Sequence, residues 1–290
     1  MRQKKLTEKP ASVGKKQAVL QHSQLISRIF VNAPFDRLQD DLLELFVENR
    51  IQPEIGLEGS CLYERSENDF ESVANSLAEA GLACTLHAPF GDLSPGASDK
   101  RILEATRNKL LKAFDLIDIF KPISIVCHPG FEEIKYSSKY HEWLANSLET
   151  WQELLSIAES HQVAMMLENT YETRADQLAA ILTELDSPYA RFCLDTGHVL
   201  AFAGNTWQDW VDPMEPWLGQ LHLHDNRGDK DRHLAIGSGI FDFAGLLSHL
   251  RSRNLKPVIT LEPHREEDLW TSLDALALLE MPDPSPLTIS

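Results

Sequence analysis

The chain has 290 residues, 43% hydrophobic and 24% charged, which is ordinary globular usage and points to neither a disordered chain nor a membrane protein. Its formal net charge of −17 opposes contact with a phosphate backbone, so nucleic acid is a disfavoured partner. No apolar run approaches the roughly 18 residues needed to cross a bilayer.

Residues 1–22 read as a flexible basic tail. Over residues 1–20, six Lys or Arg stand against one Glu, and the apolar middle segment of a secretory signal is missing. A cytoplasmic location is expected. The cysteines (Cys61, Cys84, Cys127, Cys193) form no CxxC pair and read as buried thiols in a reducing compartment.

From residue 23 to 280, β-rich runs alternate with amphipathic segments. The runs are LISRIFVN (25–32), PEIGLEG (53–59), LACTLHAP (82–89), ISIVCHPG (123–130), QVAMMLEN (162–169), ARFCLDTG (190–197), LGQLHLHD (218–225) and PVITLEPH (257–264). Several are almost continuously apolar, as a parallel sheet buried on both faces requires. Between them, RLQDDLLELFVENR and RILEATRNKLLKAFDLIDIF read as crossover helices, the second with Ile102, Leu103, Leu110, Leu111, Phe114 and Ile117 on one face. Ser66 with Asp69, and Thr173 with Asp176, have the spacing of capping boxes. Eight strand–helix units in this length predict an α/β fold, a single (β/α)₈ barrel. A doubly wound sheet is the rival, but no glycine fingerprint follows FVNAPF. Residues 281–290, with Pro282, Pro284 and Pro286, read as a second flexible tail.

In such a barrel the C-terminal strand ends surround one mouth. The third run ends at His87, the fourth at His128, the fifth at Glu168 and the sixth at Asp195 with His198 just beyond. The seventh supplies His222 and the eighth Glu262, while Asp231 and His233 follow in the loop after the seventh. Carboxylates gathered in one mouth repel each other unless cations offset them, so a bound divalent metal is expected. Mixed imidazole and carboxylate donors suit Zn²⁺, Mn²⁺, Fe²⁺ or Co²⁺ better than Ca²⁺. Below Glu168, Met166 and Ala164 share its parity and should form an apolar floor; Glu58 either lines the pocket or faces solvent. His224 shares the parity of His222 one layer higher. Arg227, Lys230 and Arg232 read either as a solvated charge run or, with His224, as substrate contacts clamping an anionic group such as phosphate. Gly237 and Gly239 allow a tight turn with exposed N–H groups before a helix starting near Phe241.

At these residues the sequence resembles the xylose isomerase-like TIM barrel superfamily, which holds sugar isomerases and epimerases together with endonuclease IV-type enzymes. The matching segments are HAPF, CHPG, LEN, LDTGH, HLHD, DRH, IGSGIFDF and LEPH. In the isomerase branch, the resemblance implies one divalent ion, Mg²⁺ and Mn²⁺ included, on Glu168, Asp195, His222 and Glu262. The two glutamates then move a proton through an enediol on a sugar or sugar phosphate. In the endonuclease branch it implies three zinc ions on all nine residues (His87, His128, Glu168, Asp195, His198, His222, Asp231, His233, Glu262) and phosphodiester hydrolysis. The acidic charge, and loops without a basic, aromatic set suited to a DNA groove, favour the first branch. A non-catalytic binding barrel needs no such ring of donors. Oligomeric state is left open.

Overall fold

The computed structural model describes residues 22–282; apart from His22, Met281 and Pro282, the expected tails lie outside the described residues. Eight parallel strands close a barrel in chain order: β1 (Phe30–Pro34), β2 (Gln52–Gly56), β3 (Thr85–His87), β4 (Ser124–Cys127), β5 (Ala164–Glu168), β6 (Ala190–Asp195), β7 (Leu218–Leu223) and β8 (Val258–Leu261). Closure is made by β1 against β8, with Phe30 opposite Thr260. The longest helices after successive strands are α1 (Leu43–Asn49), α2 (Glu67–Glu79), α3 (Lys100–Asp115), α4 (Tyr140–Ser160), α5 (Ala175–Leu185), α6 (Gln208–Met214), α7 (Phe243–Ser252) and α8 (Glu266–Leu278). No helix among the described residues is long and apolar enough to cross a membrane.

The first strand departs from expectation. Residues 22–26 are helical and β1 begins only at Phe30. Ile26 and Ile29 are apolar because they join the core between barrel and helices, not because they lie in the sheet. His22 anchors this segment through an Nε2 contact of 2.9 Å to Asp274 on α8. The capping box at Ser66 and Asp69 forms as read, Asp69 accepting from the Ser66 N–H at 2.8 Å. At α5 the expected pair is replaced: Gln177 accepts from the N–H groups of Thr173 and Arg174, and Asp176 instead takes the Arg174 guanidinium. On α3 the buried face runs through Thr106, Leu110, Ala113 and Phe114, while Ile102 is 50% exposed.

The main core lies between the strands' outer faces and the helices and includes Trp143, Trp151, Trp210, Phe114 and Phe192, all fully buried. Each such side chain stabilises the fold by about 1.5–3 kcal/mol through burial alone. The barrel lumen is a separate compartment. Val126, Ala164, Met166 and Cys193 fill one side of it, as the parity of Met166 and Ala164 predicts. A polar belt fills the other: Glu54 accepts from Thr85 (2.9 Å), Gln220 (2.6 Å) and Thr260 (3.0 Å), and Gln220 in turn accepts from Ser124 (2.7 Å). This packed lumen is the floor on which the mouth stands.

Candidate metal centre

At the C-terminal rim the nine side chains expected to bind metal come together. Glu168 is central: its Oε2 lies 3.2 Å from His87 Nε2, 3.1 Å from His128 Nε2 and 3.4 Å from His222 Nδ1, and its Oε1 lies 3.1 Å from His198 Nδ1. His222 Nδ1 also faces Glu262 at 3.2 Å and Asp195 at 4.0 Å. Asp231 Oδ2 lies 3.0 Å from His233 Nε2 and 3.5 Å from His198 Nε2. His87, His128 and Glu168 form one compact donor group, and Glu168, Asp195 and His198 a second. His198, His224, Asp231 and His233 form another. A cavity of about 210 Å³ opens above, lined by Glu58, His87, Phe90, His128, Glu168, Tyr171, His198, Phe202, Asp231, His233, Glu262 and His264 among others.

The histidines are held as ligands would be. His87 Nδ1 lies 3.0 Å from the Ala88 carbonyl, His198 Nδ1 2.9 Å from that of Asn169, and His233 Nδ1 3.1 Å from that of Glu262. A carbonyl only accepts, so each of these nitrogens carries its proton, and once the ring loses its second proton to a bound cation the other nitrogen turns a lone pair toward the cluster. His222 Nε2 faces Glu54 at 3.0 Å as an ion-pair contact, and its Nδ1 is buried among carboxylates without a hydrogen bond. His224 Nδ1 is a second buried nitrogen without a partner. Such orphaned groups cost about 1–3 kcal/mol each unless something binds them. The donor set, the anchored rings and the orphaned nitrogens fit a divalent cation.

Local sequence explains the placement. Asp195 caps the turn Thr196–His198 by accepting from the His198 N–H at 2.7 Å, while its other oxygen meets His224 Nε2 at 3.0 Å. Gly197 follows because a Cβ there would lie 1.9 Å from the His224 ring. Beyond β7, Asp225 and Leu234 pair through both backbone groups, pinching the loop so that Asp231 and His233 return to the mouth. Burial raises Glu262, and its repulsion from Asp195 and Glu168 adds to the effect against the pull of His222. Burial also opposes ionisation of Glu168, but the surrounding imidazoles outweigh it and hold this carboxyl well below the usual range.

The four residues expected to contact substrate separate. His224 is buried, its ring stacked on His233 at 3.9 Å, within the donor cluster. Arg227, Lys230 and Arg232 sit on the exposed part of the loop, outside the cavity lining, and Arg232 is tied to Asp229. The N–H groups expected to await an anion are taken: Asp225 accepts from Gly237 (3.0 Å), Gly239 (2.7 Å) and Phe241 (3.1 Å), and the following helix, α7, starts at Phe243. Glu58 lines the cavity. Two residues escape the sequence reading. Glu54 lies on the same strand parity as Glu58, and His264, two residues past Glu262, stacks on His233 at 4.0 Å. The four cysteines are buried free thiols; burial pushes Cys61 up to about 11 and Cys84 to about 12, which keeps both protonated.

The comparisons agree with this architecture. An uncharacterized protein of Methanocaldococcus jannaschii is 30% identical over 204 residues, covering 66% of this chain and 68% of that protein. A probable endonuclease 4 of Symbiobacterium thermophilum is 28% identical over 213 residues, 66% of this chain and 75% of that one. Among solved structures, a D-tagatose 3-epimerase-like protein superimposes with a TM-score of 0.75 at 24% identity, covering 87% of this chain and 97% of its own. The TTHB071 protein of Thermus thermophilus, soaked with ZnCl₂, gives 0.74 at 23% identity with the same coverage. Residues 43–280 match the family described as xylose isomerase-like TIM barrel, and the chain belongs to that family.

Proposed function

We propose that this protein is a divalent-metal-dependent isomerase or epimerase acting on a small, uncharged sugar. The observation that carries this reading is the pair Glu168 and Glu262, which reach one small cavity from β5 and from the end of β8, with His222 Nδ1 between them at 3.4 and 3.2 Å. Glu168, Asp195, His222 and Glu262 would hold the ion, with His87, His128, His198, Asp231 and His233 available for further ions. When bound, such an ion acidifies the C–H beside a carbonyl by polarising its oxygen. One glutamate takes the proton from the carbon on its side, leaving the electron pair in an enediol. The proton then returns at the neighbouring carbon, or on the opposite face of the same one, so no bond is left unbalanced. Phe90, Tyr171 and Phe202 add aromatic faces to the same cavity. The cavity wall among the described residues contains no Lys or Arg, which favours a neutral sugar over a phosphorylated one. The similarity to a D-tagatose 3-epimerase-like fold is consistent with this chemistry.

A second reading, a multinuclear phosphodiester hydrolase, is favoured by the overlapping donor groups and by the endonuclease 4 relative. One experiment separates the two. Manganese-loaded protein incubated with ketohexoses in D₂O should place deuterium on carbon, and Glu262→Gln should abolish the exchange while the protein still folds. Absence of deuterium from every ketose, together with two or three zinc ions per chain and nicking of abasic duplex DNA at low salt, would instead establish the hydrolase.

A further inference from the structure

Beside the metal-lined cup lies a second, larger cavity of about 740 Å³, formed by the segments that follow β3 and β4 and closed on one side by α3. Phe90, His128, Thr170 and Tyr171 line both cavities, so the two share one wall. The cup alone falls below the span of about 300–1,000 Å³ usual for ligand sites, whereas the second cavity falls within it.

The second wall is built for hydroxyls and ring faces. Phe90 and Tyr171 are 39% and 52% exposed at the shared wall, so part of each ring is open to a ligand. The Ser98 Oγ is buried without a hydrogen-bond partner. Asp92 is exposed, makes no hydrogen bond or ion pair among the described residues, and holds a left-handed backbone (φ 61°) that asparagine and aspartate tolerate but glycine prefers. Lys135, the single cation of this wall, is neutralised by Glu132 at 2.8 Å. Ile102 on α3 completes the lining and is half exposed although its sequence pattern suits a core position. Phe90 stacks on His128 at 4.4 Å and Tyr171 packs edge-on against Phe202 at 4.9 Å, which fixes both rings while part of each stays exposed. Acceptors without partners, fixed and partly exposed rings and no free positive charge suit a neutral polyhydroxylated ring and repel a phosphate.

We propose, resting on the carbohydrate chemistry proposed above, that the substrate is a neutral glycoside whose reacting sugar keeps a free carbonyl: that sugar occupies the metal-lined cup and the second ring lies in the cavity bounded by Phe90, Asp92, Ser98, Ile102 and Tyr171. A free monosaccharide fills only the first compartment. The second ring stacks on the exposed aromatic pair and donates a hydroxyl to Asp92.

The test is ligand-observed NMR and calorimetry on the full chain loaded with manganese, using glucose and fructose as one-ring probes and the reducing disaccharides maltose, cellobiose, lactose and lactulose as two-ring probes. At least one two-ring probe should bind about tenfold or more tightly than either monosaccharide, a difference of roughly 1.4 kcal/mol. Ile102→Trp, which fills the second cavity from an exposed helical position, should erase that advantage and leave monosaccharide binding unchanged. Asp92→Gly, which relieves the backbone conformation, should raise thermal stability yet weaken two-ring binding. Failure of every two-ring probe to exceed the monosaccharides, or an unchanged preference in Ile102→Trp, overturns the proposal. Two-ring binding sensitive to Ile102→Trp but without deuterium exchange sinks the isomerase reading and leaves the second compartment standing. Deuterium exchange on single sugars with no gain from a second ring does the reverse.

Discussion

Glu54 and Glu262 are both buried in the barrel, one in the lumen belt and one at the rim, and both face His222. Glu54 is anchored: three donors converge on one oxygen, and the other lies 3.0 Å from the His222 ring without completing a hydrogen bond. Burial works against its ionisation, yet His222 and the belt prevail and its carboxyl is held below the ordinary range. No described residue donates a hydrogen bond to the Glu262 carboxylate, and burial with two like charges nearby pushes it up. What separates a structural carboxylate from a reactive one in this lumen is the supply of fixed donors, and the rim lacks them because its oxygens are arranged for something that binds.

Removing each carboxylate should therefore have opposite consequences. Glu54→Ala strands Thr85, Gln220, Thr260 and the His222 ring in a closed lumen. It should cost about 3–5 kcal/mol, as breaking a buried pair does. Glu262→Gln removes repulsion from Asp195 and Glu168, and metal-free protein should be unchanged in stability or slightly more stable. Urea denaturation in the presence of a chelator measures both. Equal losses from the two variants would erase the distinction between belt and rim.

The rim should also carry the pH dependence. In the metal-free protein burial lowers the His87 and His233 imidazoles, but Glu168 and Asp231 respectively overcome this and lift both to about 9 from an ordinary 6.5. A raised folded value means stability that is complete below about 6.5 and lost as pH rises through 9. Thermal midpoints with chelator should thus fall between pH 6.5 and 9. Metal needs those rings deprotonated, so its affinity should rise across the same window and the gap between loaded and metal-free midpoints should widen. A gap that narrows with pH would mean these histidines do not ligate.

Strand parity made most of this rim legible. His87, His128, Glu168, Asp195, His222 and Glu262 stand at or just beyond strand ends, where a barrel converges by geometry alone. The same parity placed Met166 and Ala164 in the lumen, and it also marks Glu54, four residues before Glu58, but attention to strand tips passes over the layer beneath. Periodicity is blind where tertiary contacts set direction. Ile26 and Ile29 mimic a strand because they pack under the helices, and Ile102 mimics a core residue although it faces a cavity. Gly239 suggests a turn open to an anion. A Cβ there would meet the Asn226 carbonyl oxygen at 2.1 Å, so this glycine serves a close backbone approach around Asp225.

The loop after β7 gives the smallest and most selective prediction, because it applies the contrast between anchored and unanchored charges outside the lumen. Asp231 and His233 are drawn to the rim by the Asp225–Leu234 pairing, while Arg232 between them points outward to Asp229. A guanidinium already held by a carboxylate at the surface contributes little to anything else. Arg232→Ala and Lys230→Ala should therefore leave metal content unchanged and alter KM for a neutral sugar by less than about threefold, as expected for a surface ion pair. Asp231→Ala, at the neighbouring position, should release metal. The same two cation variants, assayed with a sugar phosphate, decide whether the loop folds over a substrate. A tenfold or greater rise in KM confined to the phosphorylated compound, about 1.4 kcal/mol, would show that these cations reach the ligand, Arg232 leaving Asp229 to do so, and that the neutral-sugar reading is wrong.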